Sequence, residues 1–355
     1  DNDSSAPEIP GLTFQSEMQN EFAECFHIYY YNDDYTLIDV PDSGQFLLVP
    51  EGKSAPDGLD EDIVVLQKPL DNIYLAATSA MSLFSSLDAL DDIKFSSLQA
   101  SGWYVDAAKQ AMENGDIVFA GKYSEPDYEL LVNSGCNLAI ESTMILHTPK
   151  VQEMIEQMGI PVFTDHSSYE NHPLGRTEWI KVYAEMVDKR DEAKEFFDEQ
   201  AKIISDLKDF KNTEKTVAFF YINTDGSVVV RKPSDYVPKM IEIAGGRYVP
   251  TQVDSEEETK RSSVPMTMEE FYTQAIDADY LVYNGTIDDP INSVDDLLQK
   301  SELFADFKAV KEGNVWCAGK YLYQATDIVG NMITDIHLML TGGDASQMTF
   351  MTKID

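Results

Sequence analysis

The stretch Tyr169-Glu170-Asn171-His172-Pro173-Leu174-Gly175-Arg176-Thr177-Glu178-Trp179-Ile180-Lys181 stands where a strand–helix alternation gives way to uninterrupted helix. From residue 174 to 210 no β-branched strand run intervenes. Trp179, Ile180, Tyr183 and Val187 recur at helical spacing, as do Ala193, Phe197, Ala201 and Ile204. Pro173 suits a first helical turn, where its missing N–H costs nothing. Glu185 and Lys189 form an i,i+4 pair, and Asp188-Lys189-Arg190-Asp191 is a polar break between two helices. The first helix, about 14 residues or about 20 Å at 1.5 Å per residue, is long enough to join two lobes. Two ordinary crossover helices of one domain are the alternative.

Working outward, the alternation on the N-terminal side predicts strands at Ile73–Ala77, Ile93–Leu98, Leu138–Glu141 and Ile160–Thr164. Helices are expected at Ser79–Leu90, Val105–Asn114, Asp127–Ser134 and Pro149–Met158. On the C-terminal side the expected strands are Val217–Ile222, Val228–Val230, Tyr280–Tyr283 and Val315–Ala318. The first two are joined at Asp225-Gly226 by a hairpin turn. Helices are expected at Asp235–Ala244, stopped by Gly245-Gly246, and at Met268–Ala275, Val294–Lys300 and Asp327–Leu340. Residues 251–263 read as a polar, acidic surface loop. Ahead of the alternation, Phe26–Val40, Phe46–Val49 and Ile63–Leu66 read as strands of a β-rich extension behind the polar tail Asp1-Asn2-Asp3-Ser4-Ser5. The fold class is therefore α/β. It comprises a tail and β-rich extension (1–72), an N-terminal α/β lobe (73–172), a connecting helix and the helix after it (173–210), and a C-terminal α/β lobe (211–355).

Composition limits the function classes. The chain of 355 residues carries 26 Lys+Arg against 63 Asp+Glu, a formal net charge of −37. Residues 1–72 alone hold 16 acids and 2 bases. Such a charge disfavours nucleic acid, whose phosphates need Lys and Arg, and anionic membrane surfaces. At 43% hydrophobic residues each half can bury a core. No apolar run is long enough to span a bilayer. Cys25, Cys136 and Cys317 are an odd, widely spaced set, which excludes a disulfide scaffold and a CxxC site. The polar tail leaves the compartment open.

Catalytic motifs are missing: there is no Walker loop, no GxGxxG after a strand, no GxSxG and no HExxH. His166 and His172 lie close in sequence, but their spacing fits no helical i,i+4 ligand pair. A metal site there would need help from elsewhere, for instance from Glu141.

The run Tyr169–Lys181 resembles a signature of substrate-binding proteins of ABC importers, in the cluster that carries iron complexes and cobalamin. The resemblance rests on Glu170, Pro173, Leu174, Gly175, Arg176, Glu178, Trp179, Ile180 and Lys181. It is extended by Asp127-Tyr128-Glu129-Leu130-Leu131, Gly159-Ile160-Pro161-Val162, Ile241–Gly246, Ala278-Asp279-Tyr280 and Ala309–Trp316, so that residues 63–340 are covered. It implies two Rossmann-like α/β lobes joined by one rigid helix. It also implies a non-enzymatic, monomeric receptor outside the cytoplasm, attached through a lipid anchor. The receptor would capture a siderophore or haem iron complex in a cleft between the lobes and pass it to a permease. A corrinoid such as cobalamin, and a bare metal ion, are the alternatives within the class. An extracellular hydrolase and an adhesion or sensing module are the alternatives outside it. No cofactor is implied; an iron chelate, haem or corrinoid would be cargo.

In open α/β sheets ligands bind beyond the carboxyl ends of the strands. Applied to the first lobe, that rule singles out Thr78, Trp103, Tyr104, Tyr123, Glu141, Ser142, His166 and Arg176. In the second it singles out Arg231, Asn284, Tyr321, Tyr323 and Gln324. Arg176 and Arg231 suit ligand carboxylates, and Tyr or His suits haem iron. The resemblance also implies docking to the permease through one exposed carboxylate per lobe. Glu242 occupies that position in the second lobe. In the first the position falls on Ser82, with Asp88 the nearest substitute.

Overall fold

Alternating short apolar runs and amphipathic helices give three main sheets. In the computed structural model residues 6–253 and 262–355 are described; the expected tail 1–5 and most of the loop at 251–263 fall outside them. Among the described residues the extension forms a five-stranded sheet, β1 (Phe14–Glu17), β2 (His27–Tyr31), β3 (Thr36–Val40), β4 (Gly44–Val49) and β5 (Ile63–Gln67), ordered as in the chain. The apolar run expected as one strand from Phe26 to Val40 is two antiparallel strands. Asn32–Asp34 turn between them, with Asp33 and Asp34 at positive φ. Tyr29, Tyr31, Leu37, Leu47 and Val49 bury one face of this sheet.

The first α/β sheet is parallel throughout, in the order β12 (Val162–Asp165), β11 (Leu138–Ser142), β6 (Ile73–Leu75), β7 (Ile93–Ser96), β8 (Val118–Phe119). All its carboxyl ends therefore lie on one edge. A small hairpin, β9 (Gly121–Lys122) with β10 (Glu125–Pro126), follows β8. The last sheet is mixed. β13 (Thr216–Ile222), β15 (Arg247–Val249), β17 (Tyr280–Asn284) and β18 (Val315–Ala318) run parallel. β14 (Val228–Arg231) and β19 (Met351–Ile354) run against them, while β16 (Ser263–Met266), antiparallel to β14, runs with them. Both of its faces are apolar, one packed by helices Tyr236–Ala244 and Gly330–Thr341, the other by Phe271, Phe304 and Phe307.

The chain divides into two units: residues 1–170 with 175–197, and residues 171–174 with 198–355. The expected connecting helix is two shorter helices, Pro173–Glu178 and Ile180–Val187, closed by Asp188 in the left-handed region at φ 59°. From Gly175 onward these belong to the first unit. The chain passes to the second within the next helix, Arg190–Leu207.

The signature stretch earns its composition in the first unit. The buried Glu178 carboxylate accepts the backbone N–H groups of Glu21, Phe22 and Ala23 at 2.8–3.1 Å and the Lys181 ammonium at 2.7 Å. Glu170 accepts the N–H groups of Glu24 and Cys25 and the Trp179 indole N–H at 2.8–3.1 Å. Glu185 accepts the Tyr30 hydroxyl at 2.6 Å and both arms of Arg190 at 2.9 Å. Buried carboxylates are tolerated when donors saturate them, and these three fasten the extension to the signature helices. Gly175 is required by the same packing: a Cβ there would lie 3.1 Å from Glu170 Oε2 and 3.2 Å from the Phe22 carbonyl. In the second unit Asp335 does the equivalent work, accepting the N–H groups of Thr349, Phe350 and Met351 and so holding β19 against β18.

Candidate ligand-binding surfaces

The parallel sheet of the first unit ends in loops of unusual composition. Residues 76–80, 97–105 and 142–148 follow β6, β7 and β11, and none of them contains Asp, Glu, Lys or Arg, although 25% of the chain is charged. Large apolar side chains stand exposed on them: Tyr104 at 43%, Met144 at 48% and Leu146 at 56%. Solvent-facing apolar groups gathered on one edge mark a recognition surface more often than chance exposure. Thr78 is half-buried in the short turn Thr78–Ala80. Ser142 ends β11, its hydroxyl accepting the Met144 N–H. Tyr123 is half-buried against the core built on Tyr74, Phe95, Leu131 and Ile155.

Glu141 departs from everything around it. It is fully buried near the end of β11, and both carboxyl oxygens lack a hydrogen-bond partner, the only carboxylate so placed among the described residues. Burial pushes its carboxyl from 4.5 up to about 8, so it holds its proton at neutral pH. Its nearness in turn raises the phenols of Tyr74 and Tyr128, though burial is the larger cause for both. His166, at the end of β12, is also buried. Its Nδ1 faces the Thr164 carbonyl at 3.0 Å, a contact in which Nδ1 must donate, and its ring packs edge-on to Tyr169.

Other expected residues serve the framework. Trp103 is buried and donates its indole N–H to Ser96 Oγ at 3.0 Å. Arg176 donates to the carbonyls of Ser168 and Glu170 at 2.9 and 3.3 Å. Arg231 does not reach the carboxyl edge that the strand-end rule assigned it. It closes antiparallel β14, whose direction carries it back along β13. There its guanidinium bonds Asp235 at 2.7 Å and Ser263 at 3.2 Å. The hairpin expected at Asp225-Gly226 already sets this antiparallel direction, and the strand-end rule, which holds only for parallel strands, does not extend to Arg231.

In the second unit Asn284 does end parallel β17, its buried amide oxygen accepting the N–H and hydroxyl of Thr286. After β18 come Tyr321, which packs on Phe350, buried Gln324, and Tyr323, which is 58% exposed. Exposed Ile287 follows Asn284. Among the described residues no group of three or more His, Cys, Asp or Glu is gathered as a metal site. No described helix is long and apolar enough to cross a membrane.

The docking candidates separate clearly. Glu242 is exposed on the helix Tyr236–Ala244, with Arg247 at 3.4 Å. Ser82 is buried in the helix Met81–Ser86 and offers no docking surface; Asp88 is exposed just beyond it, at φ 54°. Sequence reading missed the anchoring roles of Glu178, Glu185 and Asp335, because their partners, backbone amides for Glu178 and Asp335 and the Tyr30 hydroxyl for Glu185, lie 14–157 residues away.

Comparison with known proteins agrees with this architecture. Two uncharacterized lipoproteins of Methanocaldococcus jannaschii are similar along most of their length. One is 25% identical over 341 residues, covering 91% of this chain and 84% of the relative. The other is 21% identical over 352 residues, covering 89% and 81%. The haem-binding protein HutB of Vibrio cholerae shares the fold at a TM-score of 0.59 and 14% identity, over 76% of this chain and 98% of that one. The petrobactin-binding protein YclQ of Bacillus subtilis does so at 0.58 and 16%, over 76% and 92%. Residues 87–322 match the family described as periplasmic binding protein, and the chain belongs to that family.

Proposed function

We propose that this chain is the extracytoplasmic, lipid-anchored binding protein of an ABC importer and that its cargo is an iron complex, a siderophore chelate or haem. The observation that carries the cargo reading is the set of loops after β6, β7 and β11 in the first unit, which lack Asp, Glu, Lys and Arg and expose Tyr104, Met144 and Leu146. A bulky chelate wrapped in organic ligand presents large, weakly polar faces, and such an edge matches them by burying apolar area. The family and the names of the similar proteins support the class: one binds haem, another petrobactin, and two are lipoproteins. Docking to the permease falls to Glu242, which is exposed and paired only at the surface with Arg247 at 3.4 Å.

Calorimetric titration of the purified chain with haem, ferric siderophores, cyanocobalamin and Zn²⁺ tests this. Trp103 and Trp179 are buried and poorly placed as optical reporters, so heat is the primary readout. Saturable sub-micromolar binding of one iron complex is the expected result. Selective binding of cyanocobalamin would move the cargo to corrinoids, Zn²⁺ alone would move it to a bare ion, and silence toward all would remove the transport reading.

A further inference from the structure

Glu141 remains unexplained by the fold. A buried carboxyl with neither oxygen bonded forfeits hydrogen bonds that every other buried glutamate here retains. Glu170, Glu178 and Glu185 all face amides, an ammonium, a guanidinium or hydroxyls. Around Glu141 the groups that titrate with it are Tyr74 on β6 and Tyr128 on the helix Tyr128–Asn133, phenols both, and no Lys or Arg perturbs it. Aromatic rings beside a carboxylate offer the two things that a desolvated cation needs, π faces and a counter-charge. Arg176, which a ligand carboxylate would need on this edge, already holds two backbone carbonyls. A chain of net charge −37 attracts cations and repels anions over long range.

From the placement of Glu141, buried with both oxygens unbonded at the end of β11 on the sheet face that carries Tyr74, we propose that the cargo carries a positively charged group, of the ammonium type, and that Glu141 is its counter-ion. This rests on the cargo reading above and adds the sign of the ligand's charge to it. On binding, the Glu141 O–H bond breaks, the proton leaves to the buffer, and the carboxylate pairs with the ligand cation.

A matched pair of probes tests this with the full chain. Ferrioxamine B is a ferric trihydroxamate with a pendant ammonium, and its N-acetyl derivative lacks only that charge. Calorimetry at pH 7 in buffers of different ionisation enthalpy reads affinity and proton release together; haem and cyanocobalamin complete the panel. The expected result is at least tenfold tighter binding of ferrioxamine B than of the acetylated form, with close to one proton released. Both effects should vanish in Glu141→Gln, and Glu141→Leu should behave alike, each checked for an intact melting transition. Equal binding of the pair, or tight binding of any panel member that survives Glu141→Gln unchanged, overturns the charge assignment and leaves the receptor reading standing. Silence toward the whole panel overturns both.

Discussion

Two regions of the first unit bury glutamates, and they do so in opposite ways. In the signature stretch Glu170 and Glu178 are surrounded by donors: five consecutive backbone N–H groups from Glu21 to Cys25, one indole and one ammonium. At the end of β11 Glu141 is as deeply buried and meets none. The first arrangement recovers the cost of desolvation and fixes the extension in place. The second leaves that cost standing, which a fold tolerates where a site is kept ready for something else. The strand-end edge of the second unit sharpens the contrast. Its loops carry Asp225, Asp288, Asp289, Lys320 and Asp327, and several of these are answered internally: Asp288 by Lys300 at 2.8 Å, Asp289 by Lys320 at 3.2 Å, and Asp225 by the Ser227 hydroxyl at 2.6 Å.

The largest expected effect breaks the saturated region. Glu178→Ala would orphan three backbone N–H groups and leave the buried Lys181 ammonium without its carboxylate, its remaining close neighbour being the Phe197 ring at 4.2 Å. Breaking one side of a buried ion pair costs about 3–5 kcal/mol, and urea unfolding should show a loss of that size. A loss below about 1 kcal/mol would mean that the anchoring carboxylates are not the structural element described here.

Next comes the orphan. Glu141 titrates near 4.5 when unfolded and about 8 when folded. Between those values the folded state binds a proton that the unfolded state does not, so its stability falls as pH rises, by about 1.4 kcal/mol per pH unit at most. Below 4.5 both states are protonated and nothing is lost. Glu141→Gln removes the titration. Stability measured at pH 5.5 and 7.5 should therefore decline by about 2–3 kcal/mol more in the parent chain than in the variant. Parallel pH profiles would show that the carboxyl is not sealed from charge as its burial indicates.

Gly175→Ala tests how tightly the saturated region is built. The added methyl gains helix propensity but presses on Glu170 Oε2 and the Phe22 carbonyl, and the second of these is backbone and cannot swing away. A net loss of about 1–2 kcal/mol is expected from overpacking. A neutral or stabilising outcome would show slack where the extension meets the signature helix.

How much of this the sequence disclosed follows from the range of the interactions. The parallel order of strands and helices was legible because each element carries its own periodicity: Leu138–Ser142, Tyr280–Asn284 and Val315–Ala318 fall within a residue of expectation. Short edge pieces such as β8, β9 and β10 were not, since two residues hold no period. The weight of Tyr169–Lys181 was legible as a resemblance; its physical role was not, because Glu178 acts on Ala23 across 155 residues. Among site residues, Tyr104 and Tyr323 are exposed as a binding residue needs, whereas Trp103 is core and Arg231 is paired with Asp235. The hairpin signal at Asp225-Gly226 already marked the Arg231 strand as antiparallel, and the strand-end rule was extended to it all the same.

The smallest effect on stability belongs to a third kind of carboxylate. Glu242 is exposed, and its ion-pair partner, Arg247, is also bound by Glu214 at 3.1 Å, so the guanidinium keeps a counter-charge without it. An exposed pair of this kind contributes about 0–1 kcal/mol, and Glu242→Ala should unfold within about 0.5 kcal/mol of the parent chain. If the residue docks to a permease, the same variant should keep full affinity for its cargo yet lose most uptake in a transport assay. Charge reversal, Glu242→Lys, should do worse than Ala, because a misplaced like charge at an interface repels where a deletion only fails to attract. Unchanged uptake in both variants would assign Glu242 to the solvent and return the docking role to another surface. Saturated, orphaned and exposed glutamates would then differ only in what they do for stability, and the partner surface would have to be sought among residues such as Asp88 in the first unit.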